Sequence, residues 1–286
     1  MLEQLAAYPL LVLALSFIFG LLVGSFLNVV VYRLPLQLQG NWRREALDFL
    51  DMEPEASATK INLAFPASHC PKCGADIKPW QNIPVISYLI LKGRCHSCAS
   101  PISPQYPLLE LVCGLLTLAV IYTFGLTTAG LLATLFTWVL IALTGIDFNH
   151  RLLPDNLTLP LLWIGLVVNV NEVFTDLPSA VIGAAAGYLS LWSIFWLFKL
   201  ITGKDGMGYG DFKLLAALGA WLGWQQLPLI LLLSSLVGAI IGILLIIVQG
   251  RDRQEAIPFG PYLAIAGWIS LCWGEQITSS YLGLFP

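Results

Sequence analysis

The chain has 286 residues, of which 57% are hydrophobic and only 11% charged, with a formal net charge of -3. A soluble domain carries roughly 25% charged residues, so this composition excludes an ordinary soluble domain. The apolar residues fall in blocks of about 20, the length that crosses the hydrocarbon core of a bilayer. The sequence therefore predicts an all-α polytopic membrane protein.

Eight apolar blocks are predicted to be transmembrane helices. The fourth and sixth are short for a full crossing, so a tilted or partly re-entrant path is open for them. No cleavable signal peptide is expected, because the first block is too long for a signal-peptide core and no basic residue precedes it. The predicted spans are residues 9–31, 107–124, 129–146, 157–171, 178–200, 211–224, 227–248 and 258–280.

The lysine and arginine residues indicate how these spans are oriented. All 14 of them lie in or beside the loops on one side of the predicted membrane. Cytoplasmic loops carry an excess of these residues, so that side is predicted to be cytoplasmic and both termini to lie outside. The predicted domains are a first transmembrane helix at 1–31, a cytoplasmic domain at 32–106 and a seven-helix membrane domain at 107–286.

Four of the six cysteines form two C-x2-C pairs in the predicted cytoplasmic domain, Cys70 with Cys73 and Cys95 with Cys98. Two such pairs are typical of a tetrahedral zinc site, because each turn presents two thiolates to one ion. Four sulfurs leave no open position for water, so the predicted zinc ion is structural. Two disulfides are the alternative, and the reducing cytoplasm argues against them. The two histidines that flank these cysteines are expected to face solvent or to lie outside the ligand set.

Two acidic residues lie at the predicted cytoplasmic ends of apolar segments, where an acid is costly. Asp147 closes the third span in "LTGIDFNH", and Asp211 opens the sixth in "GYGDFK". Either could be an interfacial helix cap, although an acid at a helix C-terminus opposes the helix dipole. Gly208 and Gly210 leave room for another backbone to approach the second carboxylate. A pair of nearby carboxylates is the equipment of an aspartic protease, so Asp147 and Asp211 are predicted to be catalytic.

The positions of the two aspartates on their helices predict different roles for them. A helix N-terminus stabilises a carboxylate and a helix C-terminus does not. Asp211 is therefore predicted to be the base that activates water, and Asp147 the initial acid. Asp155 has a simpler interpretation, as the N-cap of the helix that follows Pro154.

Four motifs occur in an order that resembles the type IV prepilin leader peptidases, and the resemblance spans nearly the whole chain. They are "GSFLNVVVYRLP" at 24–35, the paired C-x2-C loop, "IDFNHRLLPD" at 146–155 and "GMGYGDFKLLAALGAWLG" at 206–223. These are bacterial inner-membrane enzymes of the Gly-x-Gly-Asp class of aspartic proteases. By position, the resemblance implies the same two catalytic aspartates and the same four zinc ligands.

The resemblance also implies a substrate, a second activity and a location. The enzyme would cut the basic leader of a prepilin or pseudopilin after a glycine at the cytoplasmic face, leaving the apolar helix that follows. It would then methylate the new N-terminal residue with S-adenosylmethionine, and both chain termini would lie in the periplasm. No glycine-rich turn of the usual methyltransferase kind is present, so the residues that bind the methyl donor are not assigned.

Other polar residues near the membrane allow two interpretations. Asn28 and Arg33 on the first span could bind substrate or cofactor, or could be a hydrogen bonder between helices and an interfacial anchor. Glu110 could contact the substrate's amine or pair with a nearby base. For the whole chain the alternatives are a proton-coupled transporter that uses the two aspartates as a relay, and a membrane scaffold without activity.

Overall fold

The structure, a computed structural model, describes residues 8–52, 62–249 and 258–283. Within these ranges the chain forms nine α-helices, three single 3-10 turns and no β-strand, which confirms the predicted all-α fold. The helices are α1 Pro9–Phe49, α2 Ile86–Ile90, α3 Gln105–Phe124, α4 Thr128–His150, α5 Asp155–Val168, α6 Leu177–Thr202, α7 Tyr209–Leu222, α8 Leu227–Gln249 and α9 Gly260–Leu282.

Eight of these helices, all but the short α2, coincide with the eight predicted spans. Five stretches among the described residues are long and apolar enough to cross a membrane: Pro9–Phe49, Gln105–Phe124, Thr128–His150, Leu177–Thr202 and Trp224–Leu244. Helices α5 and α7 have 14 residues each, about 21 Å of helix against a hydrocarbon core of about 30 Å. The multi-pass architecture is therefore established, and eight full crossings remain a prediction.

The first helix is longer than its predicted span of 9–31. It continues without a break through Pro35 to Phe49. Proline removes one backbone hydrogen bond but does not end every helix, and the following segment "NWRREALDF" is rich in good helix formers. The predicted domain boundary at 31/32 therefore falls inside α1.

The chain divides into two compact units, residues 1–134 and 135–286, with the boundary inside α4. In the first unit α1 packs along α3. Gly20 and Gly24 on α1, spaced as G-x-x-x-G, form the closest approach between these helices: a Cβ at Gly24 would lie 2.7 Å from Cα of Glu110. Small residues at this spacing allow helices to pack backbone against backbone.

Helix α7 is the centre of the second unit. All its residues from Asp211 to Leu222 are buried except the half-buried Lys213, and it contacts α5, α6, α8 and α9. On α6, a second G-x-x-x-G pair allows close backbone contact, because a Cβ at Gly183 would clash with the carbonyl oxygen of Gly219 and one at Gly187 would lie 2.6 Å from that of Leu215. Enclosure by protein explains how so short a helix can lie among membrane helices.

The C-terminal end of α7 is fixed by a buried amide. The Asn169 side chain donates to the carbonyl oxygens of Ala220 and Trp221, at 2.9 and 3.0 Å. Its oxygen accepts from the backbone N–H groups of Phe174 and Thr175. One side chain thus satisfies two of the carbonyls that a helix end leaves without intrahelical partners.

Candidate functional site

The third-span aspartate lies in the last turn of α4. Asp147 is 5% exposed, and its Oδ2 accepts a 3.1 Å hydrogen bond from the backbone N–H of Gly260. Gly260 is the first residue of α9, so this N–H is one that the helix itself leaves unpaired. A Cβ at Gly260 would lie 2.6 Å from the same oxygen, so only glycine fits here without displacing the carboxylate.

The second aspartate lies in the first turn of α7. Asp211 is 6% exposed, and its Oδ2 accepts a 3.2 Å hydrogen bond from the N–H of Gly208. The backbone N–H of Asp211 donates in return to the Gly208 carbonyl, which closes the helix start. The first glycine of "GYGD" therefore supplies the N–H that holds the Asp211 carboxylate.

The side chain of Leu153 lies close to the surroundings of both aspartates. A Cβ at Gly210 would lie 2.6 Å from Cβ of Leu153, and a Cβ at Gly260 would lie 3.1 Å from its methyl carbons. One leucine side chain therefore packs against a glycine beside each aspartate, which makes Leu153 a shared neighbour of the two sites. A close approach is found at Gly210, but the closest group is the Leu153 side chain rather than the predicted backbone. At Gly208 a Cβ would make only ordinary contact, 3.7 Å from Oδ2 of Asp211.

The asymmetry predicted from the helix ends is not found. Asp147 does lie at the C-terminal end of its own helix, but its carboxylate faces the N-terminus of α9 through Gly260. Asp211 lies at the N-terminus of α7. Each carboxylate thus meets the positive end of a helix dipole, and the fold gives no ground for assigning the base to either one.

The other acids at this level have ordinary partners. Asp155 is the first residue of α5 and makes no capping hydrogen bond, contrary to the N-cap prediction. It is half exposed and forms an ion pair with Lys213, with N–O distances of 2.7 and 2.8 Å. Asp205, in the loop after α6, pairs with Lys199 at 2.9 Å.

The four paired cysteines come together in the first unit. Their sulfur atoms all lie within 4.8 Å of one another, and they are the one set of metal-binding side chains found among the described residues. Each knuckle is a matching turn: the N–H of Cys70 donates to Ala75 O, and the N–H of Cys95 donates to Ser100 O. The backbone N–H groups of Cys73 and Lys72 lower the pKa of the Cys70 thiol to about 6, which favours a thiolate.

The histidines beside these cysteines are outside the sulfur set, as expected. Both are exposed. The Nδ1 of His69 lies 2.9 Å from the carbonyl oxygen of Ala67, and the ring of His96 packs edge-on against Trp80. The described cysteines are free rather than disulfide-bonded, and the geometry is that of a four-thiolate metal site.

The polar residues on the helices of the first unit hold backbone groups. Asn28 donates to the carbonyl oxygen of Tyr106 on α3, which confirms a hydrogen bond between helices. Arg33 is buried rather than an interfacial anchor, and donates to the carbonyl oxygen of Asn62 at 3.1 Å. Glu110 is also buried and accepts from the N–H of Val85 at 2.8 Å. These contacts support a structural role for all three.

Two residues at the aspartate pair were not singled out in the sequence. Gly260 and Leu153 act through contacts between distant segments, and Gly260 lies 113 residues from Asp147. The only local signal for Gly260 is the string "PFGPY", a glycine and a proline at a helix start.

The fold and the paired carboxylates define a class: a multi-pass membrane protein with the two buried aspartates that an aspartic protease uses. Comparison with known proteins agrees. Residues 18–124 match the bacterial peptidase A24 N-terminal domain, and residues 134–243 match the type IV leader peptidase family.

Curated relatives match the chain along nearly its whole length. Three named "Prepilin leader peptidase/N-methyltransferase" come from Pseudomonas aeruginosa, Stutzerimonas stutzeri and Aeromonas hydrophila, at 55%, 53% and 54% identity. The matches cover 99%, 98% and 100% of this chain and 97%, 97% and 99% of the respective relatives. No solved structure matches the chain. The chain belongs to the type IV leader peptidase family.

Proposed function

We propose that this protein is a bifunctional prepilin leader peptidase and N-methyltransferase. It cleaves the leader of type IV prepilins or pseudopilins after a glycine, and then methylates the new N-terminal residue. The observation that carries the proposal is the full-length similarity to relatives of that name, and the burial of Asp147 and Asp211 around the shared neighbour Leu153 supports it. The transporter alternative finds no support in these relatives.

The proposed cleavage uses the two carboxylates in complementary protonation states. The ionised carboxylate removes a proton from a water molecule, whose oxygen attacks the carbonyl carbon of the scissile peptide bond. The protonated carboxyl donates to the carbonyl oxygen and so stabilises the tetrahedral intermediate. The C–N bond then breaks, and the leaving amine takes a proton from the pair. The N–H groups of Gly208 and Gly260 hold one oxygen of each carboxylate and leave the other free for this work.

Asparagine substitutions test the catalytic assignment. Asp147→Asn and Asp211→Asn keep the side-chain shape but cannot exchange the protons, so each should abolish cleavage of a prepilin by the full chain in detergent. Asp155→Asn is the matched control. Asp155 is close to Asp147 in the sequence, but it is half exposed and forms an ordinary ion pair with Lys213. Methylation of a pre-cleaved substrate should persist in all three. Cleavage near the wild-type rate in either of the first two would refute the assignment.

We propose that the four cysteines hold a structural zinc ion. A tetrahedral zinc site with sulfurs about 2.3 Å from the metal places them about 3.8 Å apart, and Cys70 Sγ lies 3.9 Å from Cys98 Sγ. The small segment around the knuckles needs such support, since it forms only the short helix α2, one 3-10 turn and isolated bridges. Cys98→Ser should lower the zinc content of the purified protein from one per chain, whereas the buried Cys272→Ser should not. An unchanged zinc content in the first variant would exclude this site.

The proposed methyl donor is S-adenosylmethionine, which supplies an electrophilic methyl group. The α-amine exposed by cleavage attacks that methyl carbon and loses a proton. Asn28, Arg33 and Glu110 already hold backbone groups, so none is assigned to the donor. Transfer of radiolabelled methyl to a pre-cleaved substrate tests this step, and its absence would reduce the protein to a peptidase.

The proposed location is the bacterial inner membrane, with the aspartate pair at the cytoplasmic face. The one-sided distribution of lysine and arginine supports this orientation. A substrate with a basic leader and an apolar helix would then present its junction at the depth of the two aspartates. Alkaline phosphatase needs the oxidising periplasm to form its disulfides. Alkaline phosphatase fused to the C-terminus of the chain should therefore be active, and alkaline phosphatase fused within the 203–208 loop should be inactive. The opposite pattern would reverse the orientation.

A further inference from the structure

A group of exposed apolar side chains lies on and beside the short helix α2 in the first unit. Ile86, Leu89 and Ile90 on α2 are 55%, 68% and 65% exposed, and their spacing of i, i+3 and i+4 places them on one face of the helix. Trp80 and Ile83, just before the helix, are also exposed. These five residues are referred to below as the α2 patch. Several large apolar side chains exposed so close together mark an interaction surface.

The polar residues of α2 point inward, which is the reverse of a helix on the surface of a soluble domain. Ser87 is buried, and its hydroxyl donates to the carbonyl oxygen of Ile83 at 2.7 Å. Tyr88 is half-buried and packs against Gly93, where a Cβ would lie 2.9 Å from the phenol oxygen. A helix in water buries its apolar face and exposes its polar one. The outward face of α2 is therefore suited to an apolar environment.

A hydrogen bond fixes the position of α2 along the membrane helices of the same unit. The N–H of Val85, the residue before α2, donates to Oε2 of Glu110 on α3 at 2.8 Å. Glu110 packs against Gly24 of α1, which lies about 10 Å of helix before the end of the predicted first span at residue 31. A glutamate side chain and one hydrogen bond together span less than this distance. Helix α2 therefore begins at a depth where α1 is still apolar.

Basic side chains flank the α2 patch in the sequence. Lys78 precedes the patch and Lys92 follows it, and both are exposed. Between residues 62 and 104, four lysine and arginine side chains stand against the single acid Asp76. Basic residues beside an apolar surface bind the anionic head groups of a bilayer while the apolar side chains enter the boundary below them. The depth of α2 and its flanking charges thus fit a lipid surface.

We propose that the α2 patch docks on the anionic surface of the bilayer, at the boundary between head groups and acyl chains. Trp80 suits this position, because tryptophan is enriched at the interface between membrane and water. The two C-x2-C pairs lie on either side of the patch in the sequence, so docking would hold the four-cysteine cluster beside the bilayer. The inference is independent of the peptidase and methyltransferase activities.

Photo-cross-linking in nanodiscs tests the docking. The full chain carries benzoylphenylalanine in place of Leu89 and is embedded in equal parts of phosphatidylglycerol and phosphatidylcholine. Mass spectrometry of the intact chain identifies the adducts. Asp48 is the matched control position, since it is exposed but lies about 36 Å further along α1 than Gly24. Lipid adducts at position 89 should exceed those at position 48 by at least about tenfold, because the second position lies beyond the head groups.

Two pairs of charge substitutions test the assigned lipid. With the probe at position 89 and the natural charges, adducts with phosphatidylglycerol should exceed those with phosphatidylcholine by about threefold or more, because each lysine near the surface attracts anionic lipid. Lys78→Gln combined with Lys92→Gln should bring this ratio close to one. Arg43→Gln combined with Arg44→Gln removes two exposed charges further along α1 and should leave the ratio unchanged.

Three outcomes would overturn the inference. Lipid adducts at position 89 that are no more frequent than at position 48 would exclude docking on the bilayer. A cross-linked dimer, or a cross-link within the chain in place of the lipid adduct, would show that protein covers the patch. Adducts without a preference for phosphatidylglycerol would exclude the anionic surface as the partner. Ile90, on the same exposed face, is the second probe position if the chain altered at Leu89 does not fold.

Discussion

Replacing Gly260 by alanine tests the geometry of the aspartate pair most directly. The added Cβ would lie 2.6 Å from Oδ2 of Asp147, whereas ordinary contact begins near 3.4 Å. The carboxylate must therefore move by about 0.8 Å, the difference between these distances, because the helix start that carries Gly260 is the less mobile partner. The 3.1 Å hydrogen bond from Gly260 to Asp147 is strained or lost in the same movement.

The expected effect follows from two estimates that agree. A misplacement of about 1 Å in a catalytic group costs about 100-fold in rate. A hydrogen bond to a charged group contributes about 1.5–3 kcal/mol, or roughly 10- to 100-fold. Gly260→Ala should therefore lower kcat for prepilin cleavage by about 100-fold with little change in KM, since the group acts in the chemical step rather than in binding. Methylation of a pre-cleaved substrate should be unaffected.

A second glycine on the same helix provides the matched control. A Cβ at Gly267 would also meet its nearest neighbour at 2.6 Å, but that neighbour is a methyl carbon of Leu218. Both variants should lower the thermal midpoint in detergent to a similar extent, and only Gly260→Ala should lower the rate per folded molecule. Cleavage by Gly260→Ala within about threefold of wild type would refute the role assigned to this contact. An equal loss of activity in Gly267→Ala would show that overpacking alone is responsible.

Two further predictions follow from the packing around α7. Gly208→Ala should retain most prepilin cleavage, because the φ of -83° at this position suits alanine and the backbone N–H remains available. Gly210→Ala should lose cleavage, because the added Cβ would lie 2.6 Å from Cβ of Leu153. Equal prepilin cleavage rates in the two variants would contradict this contrast. Asn169→Ala should lower the free energy of unfolding by about 4 kcal/mol, because four backbone groups lose a buried partner at about 1 kcal/mol each. Denaturation in detergent measures this loss. Replacing the exposed Asn171 in the same turn by alanine should change the free energy of unfolding little. Equal effects of the two substitutions would refute the capping role of Asn169.

The sequence by itself determined those features that depend on short stretches of chain. Windows of apolar residues about as long as a bilayer is thick predicted the helices, and the two C-x2-C turns predicted the sulfur cluster that the structure shows. The two aspartates stood out because acids are expensive beside apolar helices. The end of α1 was missed, because proline within an otherwise favourable helix leaves the boundary undetermined by local sequence.

Only the tertiary structure decided which groups surround these residues. The N–H of Gly260 reaches Asp147 across 113 residues, and the Asn169 amide reaches the end of α7 across 51 and 52. Such contacts have no local periodicity or spacing, because they arise where helices that are distant in sequence cross. The space between Leu191 on α6, Gly238 on α8 and Tyr262 on α9 has the same origin, since its walls belong to three helices. Local hydropathy fixes which segments are helices, and the packing of those helices alone fixes what each carboxylate faces.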